Sequence, residues 1–137
     1  EYEGNIKETK ITIRDGFIYT GDIGVLDSNG FLSITDRKKD VIFVKGFNVF
    51  PREIEEQLMS QSNISAVCVV GKQDSRSGET PVAFITLKTN VDTSIIKKYC
   101  EDTMLPYKVP SEFIVLENLP LTPAKKVDRI ALKERLV

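Results

Sequence analysis

Histidine is absent from this chain of 137 residues. Its absence excludes Ser-His-Asp and Cys-His catalysis within the chain, together with every metal site built on imidazole. Any chemistry must therefore use lysine, arginine, carboxylates, hydroxyls or backbone donors. No metal site is predicted in these residues.

Cysteine is scarce, because only Cys68 and Cys100 occur and each lies within an apolar pattern. Two isolated cysteines in a chain of this length are not typical of a disulfide framework or a zinc site. Free cysteine behaves as a small hydrophobic residue. We therefore predict two buried thiols in a reducing compartment, which favours a cytoplasmic location.

Long apolar runs and an excess of one charge are also lacking. Hydrophobic residues make up 41% of the chain, enough for a core, but no run of about 18 of them predicts a membrane-spanning helix. The first residues, "EYEGNIKETK", lack the order of a signal peptide. The 19 basic and 20 acidic residues give a net charge of -1, so no basic excess indicates a nucleic-acid partner.

Short strands dominate the beginning of the chain. "KITIRDGFIY" alternates around Asp15-Gly16, and Asp-Gly is a hairpin signal because both residues tolerate positive φ. A second hairpin is predicted around the turn Asp27–Gly30, so the first 36 residues are expected to form antiparallel strands without helix. The charged run "TDRKKD" follows. Its composition alone favours a solvated strand end over a hinge.

From residue 41 the predicted order of elements is β-α-β-β-α-β-α. The helices are expected at about 51–61, after a cap at Asp92 or Thr93, and after a cap at Asp128. The apolar stretches "ISAVCVVGK" and "PVAFITLK" are predicted to be neighbouring antiparallel strands. This order predicts an α+β fold with a small, mostly antiparallel sheet and helices on one side of it.

Four polar stretches are candidates for binding or catalysis: "YTGD", "DRKKD", "KGFN" and "LTPAKK". A carboxylate beside a glycine can accept hydrogen bonds from a ribose diol, and arginine offers a forked donor set for ribose or phosphate oxygens. A lysine on a loop is a compact charge for a phosphate. Each stretch alone also has an ordinary interpretation: an Asx turn, surface charge, a bend after a strand and a solvated lysine pair.

In this order and spacing, the four stretches resemble the C-terminal part of the adenylate-forming (AMP-binding) acyl-CoA synthetase superfamily. The resemblance extends from about Gly16 to Leu136. The branch is expected to be that of the long-chain fatty-acid–CoA ligases. "DRKKD" with "GFNVFPREIE" is more similar to acyl- and aryl-CoA synthetases than to peptide-synthetase adenylation domains, whereas "KVDRIAL" is more similar to the latter. The acceptor is therefore either coenzyme A or a carrier-protein phosphopantetheine. A non-catalytic nucleotide-binding homologue is a further alternative.

The resemblance implies a ligase that converts a carboxylic acid and ATP to an acyl-adenylate and then transfers the acyl group to a thiol. Asp22 matches the aspartate that binds the ribose, with Thr20 and Gly21 shaping its turn. Arg37 matches an arginine that contacts the nucleotide, and Lys39 matches the hinge position.

The remaining matched residues belong to the two steps of that reaction. Gly46, Phe47 and Asn48 match the segment that lines the coenzyme A passage. Lys126 matches the catalytic lysine that contacts the carboxylate and the α-phosphate during adenylation. The preceding residue, Lys125, departs from the glycine that the family usually has there.

The resemblance also implies a division of the chain. Residues 1–38 would be the β-rich end of a large N-terminal domain of the same protein, and 39–137 a mobile α+β domain. The chain shows no phosphate loop, acyl pocket or magnesium-binding glutamate. We therefore expect Mg²⁺ to bind outside it, and the chain alone to be an inactive fragment. The partners are small molecules: the acid, ATP and coenzyme A.

Overall fold

A computed structural model describes residues 4–136 of the chain. The chain divides into two compact units, Glu1–Lys39 and Asp40–Val137. No helix within residues 4–136 is both long enough and apolar enough to cross a bilayer.

The first unit consists of one short helix and two hairpins. Helix α1 (Ile6–Thr12) precedes the hairpin of β1 (Ile13–Arg14) and β2 (Phe17–Ile18). The second hairpin pairs β3 (Asp22–Leu26) with β4 (Leu32–Arg37), which confirms both predicted hairpins.

The prediction that the first 36 residues contain no helix was wrong at α1. Isoleucine and threonine favour a strand in this stretch, but the side chain of Asn5 accepts a hydrogen bond from the Glu8 backbone N–H at 3.0 Å and caps a helix. No residue of α1 is buried.

The first unit leaves many large apolar side chains exposed. Among its described residues only Asp36 is buried. The exposed apolar residues include Phe17, Ile18, Leu26, Phe31 and Leu32. A hairpin ribbon with no covered face is marginal in water, so this unit has no apolar core within residues 4–39.

The second unit is an α+β domain around a five-stranded sheet. A 3₁₀ turn (Lys38–Asp40) spans the boundary and leads into the strands and helices of this unit. These are β5 (Ile42–Val44), β6 (Phe47–Val49), α2 (Pro51–Met59), β7 (Ile64–Asp74), β8 (Gly78–Leu87), α3 (Thr93–Thr103), β9 (Glu112–Val115) and α4 (Arg129–Glu134). The strand order is β6-β5-β8-β7, and β9 also pairs with β8, in parallel. The predicted fold class, α+β with a mostly antiparallel sheet, is confirmed.

Helices cover both faces of this sheet, so the prediction of helices on one side was wrong. On one face Val69 and Ile85 pack with Ile54 of α2 and Ile96 of α3. On the other face the neighbouring side chains of β7 and β8 pack against Leu132 of α4. Successive strand side chains point to opposite faces, which explains why both strands are apolar without interruption.

Both cysteines are free and buried, as predicted. Cys100 is on α3 and faces the core that α2 and α3 share, whereas Cys68 is on β7 and faces α4. Burial raises the pKa of the Cys68 thiol to about 12 and that of Cys100 to about 11. Neither thiol is therefore a nucleophile near neutral pH in the folded domain.

Candidate functional site

Asp22 and Arg37 lie side by side at the open end of the second hairpin. They are direct partners in the register of β3 and β4, and Arg37 Nε lies 3.2 Å from Asp22 Oδ1. The arginine side chain is 56% exposed and the aspartate 25% exposed. An ion pair this exposed stabilises a fold by only about 0–1 kcal/mol. The pair therefore costs little to open toward a polar ligand.

The turn before β3 fixes the direction of Asp22. The Asp22 backbone N–H donates to Thr20 Oγ1 at 3.2 Å, and the Lys38 N–H donates to the Gly21 carbonyl at 2.8 Å. These bonds hold the "TGD" turn against the strand that carries Arg37. The structure thus brings together three of the residues predicted from the sequence, Thr20, Asp22 and Arg37, as neighbouring donors and acceptors.

The predicted hinge residue, Lys39, lies in the 3₁₀ turn at the boundary of the two units. The side chain of Lys39 is exposed. The next residue, Asp40, is the first of the second unit. Its role as a hinge stays a prediction.

Gly46 forms the tip of a hairpin that the sequence analysis described only as a bend. Val44 pairs with Phe47, so Lys45 and Gly46 form a two-residue turn, with φ angles of 50° and 85°. Two successive positive φ angles are typical of a type I′ turn, and glycine adopts them without steric cost. The turn leaves Phe47 and Asn48 exposed on the short strand β6.

An open groove of about 640 Å³ lies beside this hairpin, and Phe47 forms part of its wall. The ring of Phe47 stacks on Tyr107, with ring centroids 4.5 Å apart and an angle of 12° between the ring planes. Lys45 and Arg76 also line the groove, as does Lys72, whose ammonium pairs with Glu112 at 2.7 Å. Aromatic faces beside cations suit a flat group that carries negative charge.

Asp74 also lines the groove, and its carboxylate is held by donors of the loop that follows it. Its carboxylate accepts hydrogen bonds from the Ser77 hydroxyl at 2.6 Å, from the Ser77 N–H at 2.7 Å and from the Arg76 N–H at 3.0 Å. These bonds lower the pKa of Asp74, the Ser77 hydroxyl contributing most. Asp74 thereby shapes the loop that carries Arg76.

Lys126 lies on a small closed loop before α4. The Thr122 N–H donates to the Lys126 carbonyl at 2.7 Å, and the Lys126 N–H donates to Thr122 Oγ1 at 3.3 Å. Leu121 and Val127 form an isolated antiparallel bridge at the base of the loop. The Lys126 side chain is exposed. The backbone of this loop is thus held in place while its ammonium group faces solvent.

Sequence reasoning did not find Tyr107 or the network around Arg129. Tyr107 lies 60 positions after Phe47, its stacking partner, and "LPYKVP" gives no local signal of that contact. Arg129 bonds to Glu55, from which it is separated by 74 positions. Both contacts join segments far apart in the chain, which a local pattern does not encode.

Residues 53–126 match the family model described as "AMP-binding enzyme C-terminal domain". The chain belongs to this family. The matched segment is more than half of the chain, and it begins on α2 and ends at Lys126. The matched segment includes β7, β8, α3, β9 and the loop that ends at Lys126, whereas β5, β6 and the hairpin tip at Gly46 precede it.

Two curated relatives carry the similarity across nearly the whole chain. The 2-succinylbenzoate–CoA ligase of Listeria monocytogenes serotype 4b is 39% identical over 134 residues, which are 98% of this chain and 29% of the ligase. The long-chain-fatty-acid–CoA ligase of Bacillus subtilis is 40% identical over 135 residues, which are 97% of this chain and 24% of that ligase. The chain thus spans less than a third of the length of either relative.

A solved structure shows the same fold. The o-succinylbenzoate CoA synthetase of Bacillus subtilis, in complex with its acyl-adenylate intermediate, superimposes with a TM-score of 0.88 and 33% identity. The match covers 95% of this chain and 27% of that enzyme. The predicted membership of the AMP-binding, acyl-CoA synthetase family is confirmed.

Proposed function

We propose that this chain acts within an ATP-dependent, AMP-forming acid–thiol ligase. The ligase converts a carboxylic acid and ATP to an acyl-adenylate and pyrophosphate, and then transfers the acyl group to coenzyme A with release of AMP. The observation that supports this most directly is the exposed Lys126 on a closed loop at the end of the matched family segment. ATP and coenzyme A are the cosubstrates.

In this proposal Asp22 and Arg37 bind the nucleotide. The Asp22 carboxylate accepts hydrogen bonds from the ribose hydroxyls, and Thr20 holds the turn that aims it. Arg37 exchanges its contact with Asp22 for one with a ribose or phosphate oxygen. The 3.2 Å pair keeps both side chains extended in the same direction before the ligand arrives.

Lys126 acts in the first half-reaction. When the carboxylate attacks the α-phosphorus, negative charge accumulates on the phosphoryl oxygens, and an ammonium placed there lowers the barrier. The closed loop limits the backbone positions from which the side chain reaches out, which reduces the entropy lost on ordering. The second half-reaction, attack of a thiol on the adenylate, has no comparable need of this cation.

Gly46, Phe47 and Asn48 serve the second half-reaction by lining the passage of the thiol substrate. Gly46 has no side chain, so a thin pantetheine arm can pass close to the backbone there. The groove beside Phe47 offers aromatic and cationic side chains to the charged nucleotide end of coenzyme A.

The acid is not selected by these residues. Two relatives of nearly equal identity to this chain carry the names of different acids, 2-succinylbenzoate and a long-chain fatty acid. A fatty acid is our first candidate, and one of the two relatives is named for that acid.

No metal step is assigned to this chain. Within residues 4–136, no group of three or more aspartate, glutamate or cysteine side chains is placed to hold a metal ion. We propose that Mg²⁺ binds with ATP outside the chain.

We further propose a division of the chain into two parts. Residues 1–38 complete a large N-terminal domain, and residues 39–137 rotate about Lys39. The two free thiols are consistent with a location in the cytoplasm.

The test compares the two half-reactions in the full-length enzyme. Pyrophosphate release with ATP measures adenylation, with a long-chain fatty acid and 2-succinylbenzoate as the acids. AMP release from preformed adenylate and coenzyme A measures thiolation. We expect Lys126→Ala to slow adenylation by about 100-fold or more, the size of effect seen when one charge-stabilising donor is removed, and to leave thiolation nearly unchanged. Lys125→Ala is the matched control, because it removes the neighbouring cation.

Equal slowing of both half-reactions by Lys126→Ala would contradict the role of Lys126. AMP release with a phosphopantetheinylated carrier protein, but not with free coenzyme A, would identify the alternative acceptor. An enzyme that binds ATP and releases no pyrophosphate with any acid would instead be a non-catalytic nucleotide-binding homologue.

A further inference from the structure

Arg129 joins three distant segments of the second unit through one side chain. Its Nη1 donates to the Val69 carbonyl at 2.7 Å, and its Nη2 donates to Glu55 Oε1 at 2.7 Å. Its Nε lies 3.9 Å from Asp40 Oδ2. The side chain is 27% exposed, and both carboxylates are less exposed still. The guanidinium thus has a fixed set of partners below the surface.

The backbone of Val69 explains why an arginine is suited to this position. Strand β7 ends the sheet, so one of its edges has no neighbouring strand. The Val69 N–H donates to Glu55 Oε1 at 2.8 Å, and the Val69 carbonyl accepts from Arg129. The two side chains therefore satisfy both backbone groups of one edge residue, as a paired strand would.

The same arginine lies directly behind the Lys126 loop. Asp128 caps α4 by accepting from the Ile130 and Ala131 N–H groups at 3.1 and 3.0 Å, and its own N–H donates to the Pro120 carbonyl at 2.8 Å. Arg129 follows this cap and is three positions after Lys126. The base of the loop is therefore continuous with the residue that bonds to β7, and Leu119 and Val127 at that base also pack on the α4 side of the sheet.

The charges in this network favour a permanent guanidinium. Burial by itself lowers the pKa of Arg129, but the nearby negative charges of Glu55 and Asp40, together with the hydrogen bond to Glu55, raise it overall. Removing one member of such a buried set leaves the others without compensation. Lysine would keep the charge but lose the fork that reaches Val69 and Glu55 together.

We infer that Arg129 is a positioning residue for Lys126. It holds the base of the Lys126 loop at a fixed place relative to Asp40, the residue directly after the proposed pivot Lys39. When the domain rotates about the pivot, the Lys126 loop and its ammonium group therefore move together with the rest of the domain. This inference rests on the proposed function, and it adds a residue that acts through Lys126 without touching the substrate.

The test is a double-mutant cycle in the full-length enzyme, with Arg129→Lys and Lys126→Ala alone and combined. We expect Arg129→Lys to slow adenylation by about 10- to 100-fold, because a displacement of about 1 Å is enough for such a loss. It should leave the KM for ATP and the rate of thiolation from preformed adenylate nearly unchanged. In the Lys126→Ala background the same substitution should cost less than about threefold, since there is no ammonium left to position.

Two further variants complete the design. Glu55→Gln removes the charge that holds Nη2 of Arg129 but keeps an acceptor for the Val69 N–H. If the Arg129→Lys enzyme does not fold, Glu55→Gln takes its place in the cycle. Arg135→Lys, an exposed position at the end of α4, is the control and should match the unsubstituted enzyme.

Equal losses in both half-reactions, or the same loss with and without Lys126, would overturn the inference and leave Arg129 a structural residue only. Failure of the proposed function would give a different result, because the unsubstituted enzyme would then release no pyrophosphate.

Discussion

Lys125 occupies a backbone conformation that most side chains avoid. Its φ angle is 57°, in the left-handed region, which costs a residue with a β-carbon about 1–2 kcal/mol. The adenylate-forming family usually has glycine at this position. The structure thus gives a physical reason why glycine suits this position, and it places Lys125 there in the left-handed conformation.

We predict that Lys125→Gly leaves the adenylation rate within about threefold of the unsubstituted enzyme, because the turn already has the geometry that glycine prefers. The variant should also raise the melting temperature of the chain slightly, as relief of about 1–2 kcal/mol exceeds the entropy cost of about 0.5–1 kcal/mol. Pyrophosphate release and thermal unfolding measure the two effects.

Lys125→Val is the matched control for this prediction. A β-branched residue tolerates positive φ poorly, so this variant should lose both stability and adenylation. A large drop in adenylation with Lys125→Gly would instead show that the second cation contributes to phosphate binding.

Cys68 reports on the folded state through its pKa. Its ordinary value is 9.0, and burial raises it to about 12 in the fold. The folded state therefore keeps the proton that the unfolded chain loses. The associated stability is complete below about pH 9 and is lost as the pH rises through about 12.

We predict that the alkylation rate of Cys68 at pH 9 is at least about 100-fold lower in native buffer than in urea, because the thiolate is the reactive form and each pKa unit changes its fraction about tenfold. Mass spectrometry of the peptide that contains Cys68, after pulses of iodoacetamide, measures both rates. Equal rates in the two buffers would show that the thiol is accessible and its pKa ordinary.

At the scale of elements, the β5–β6 hairpin and the segment before β9 form one wall of the groove. Phe47 on β6 and Tyr107 in the loop after α3 stack with centroids 4.5 Å apart, which fixes the position of the exposed hairpin tip. Such a pair contributes about 0.5–1.5 kcal/mol beyond its buried area.

We predict that Tyr107→Ala raises the KM for coenzyme A by about 3- to 10-fold in the full-length enzyme and leaves adenylation unchanged. This fold-change corresponds to the stacking energy of about 0.5–1.5 kcal/mol. Tyr107→Phe keeps the ring and should behave as the unsubstituted enzyme. Steady-state kinetics at varied coenzyme A measures this effect. A slower adenylation step in Tyr107→Ala, with an unchanged KM for coenzyme A, would remove the groove from the proposed thiol passage.

The sequence predicted the longer elements of the second unit well, because each carries its own start signal. Pro51 opens α2 and Asp128 caps α4, as predicted, and of the two caps predicted for α3 the structure has Asp92. It missed β6, since a strand of three residues has too few positions to show an alternating pattern. It also missed the second covered face of the sheet, although the uninterrupted apolar run of β7 contained that information.

The residues of the candidate site were named one by one from the sequence, but their arrangement was not predicted. Asp22 and Arg37 were assigned separately by resemblance, and their direct pairing follows from a register that includes a bulge between Ile23 and Gly24. The network of Arg129 depends on β7 lying at the edge of the sheet. That position is set by pairing between segments far apart in the chain, which local patterns do not encode.

At the scale of the whole molecule, the chain spans less than a third of its curated relatives. We predict that residues 1–137 alone form no acyl-CoA from ATP, coenzyme A and either acid. The reason is that the sequence contains no phosphate-loop motif and no segment that we can assign to an acyl pocket. Thioester formation followed by mass spectrometry measures this, with the full-length enzyme as the positive control. Turnover by the chain alone would require a complete active site within it.

The bare apolar ribbons of the first unit have a consequence for the order of folding. With Phe17, Ile18 and Leu32 open to solvent, residues 4–39 gain little free energy by acquiring structure on their own. We expect these hairpins to be among the last parts of the polypeptide to become ordered, after another protein surface has formed against which their apolar side chains can pack.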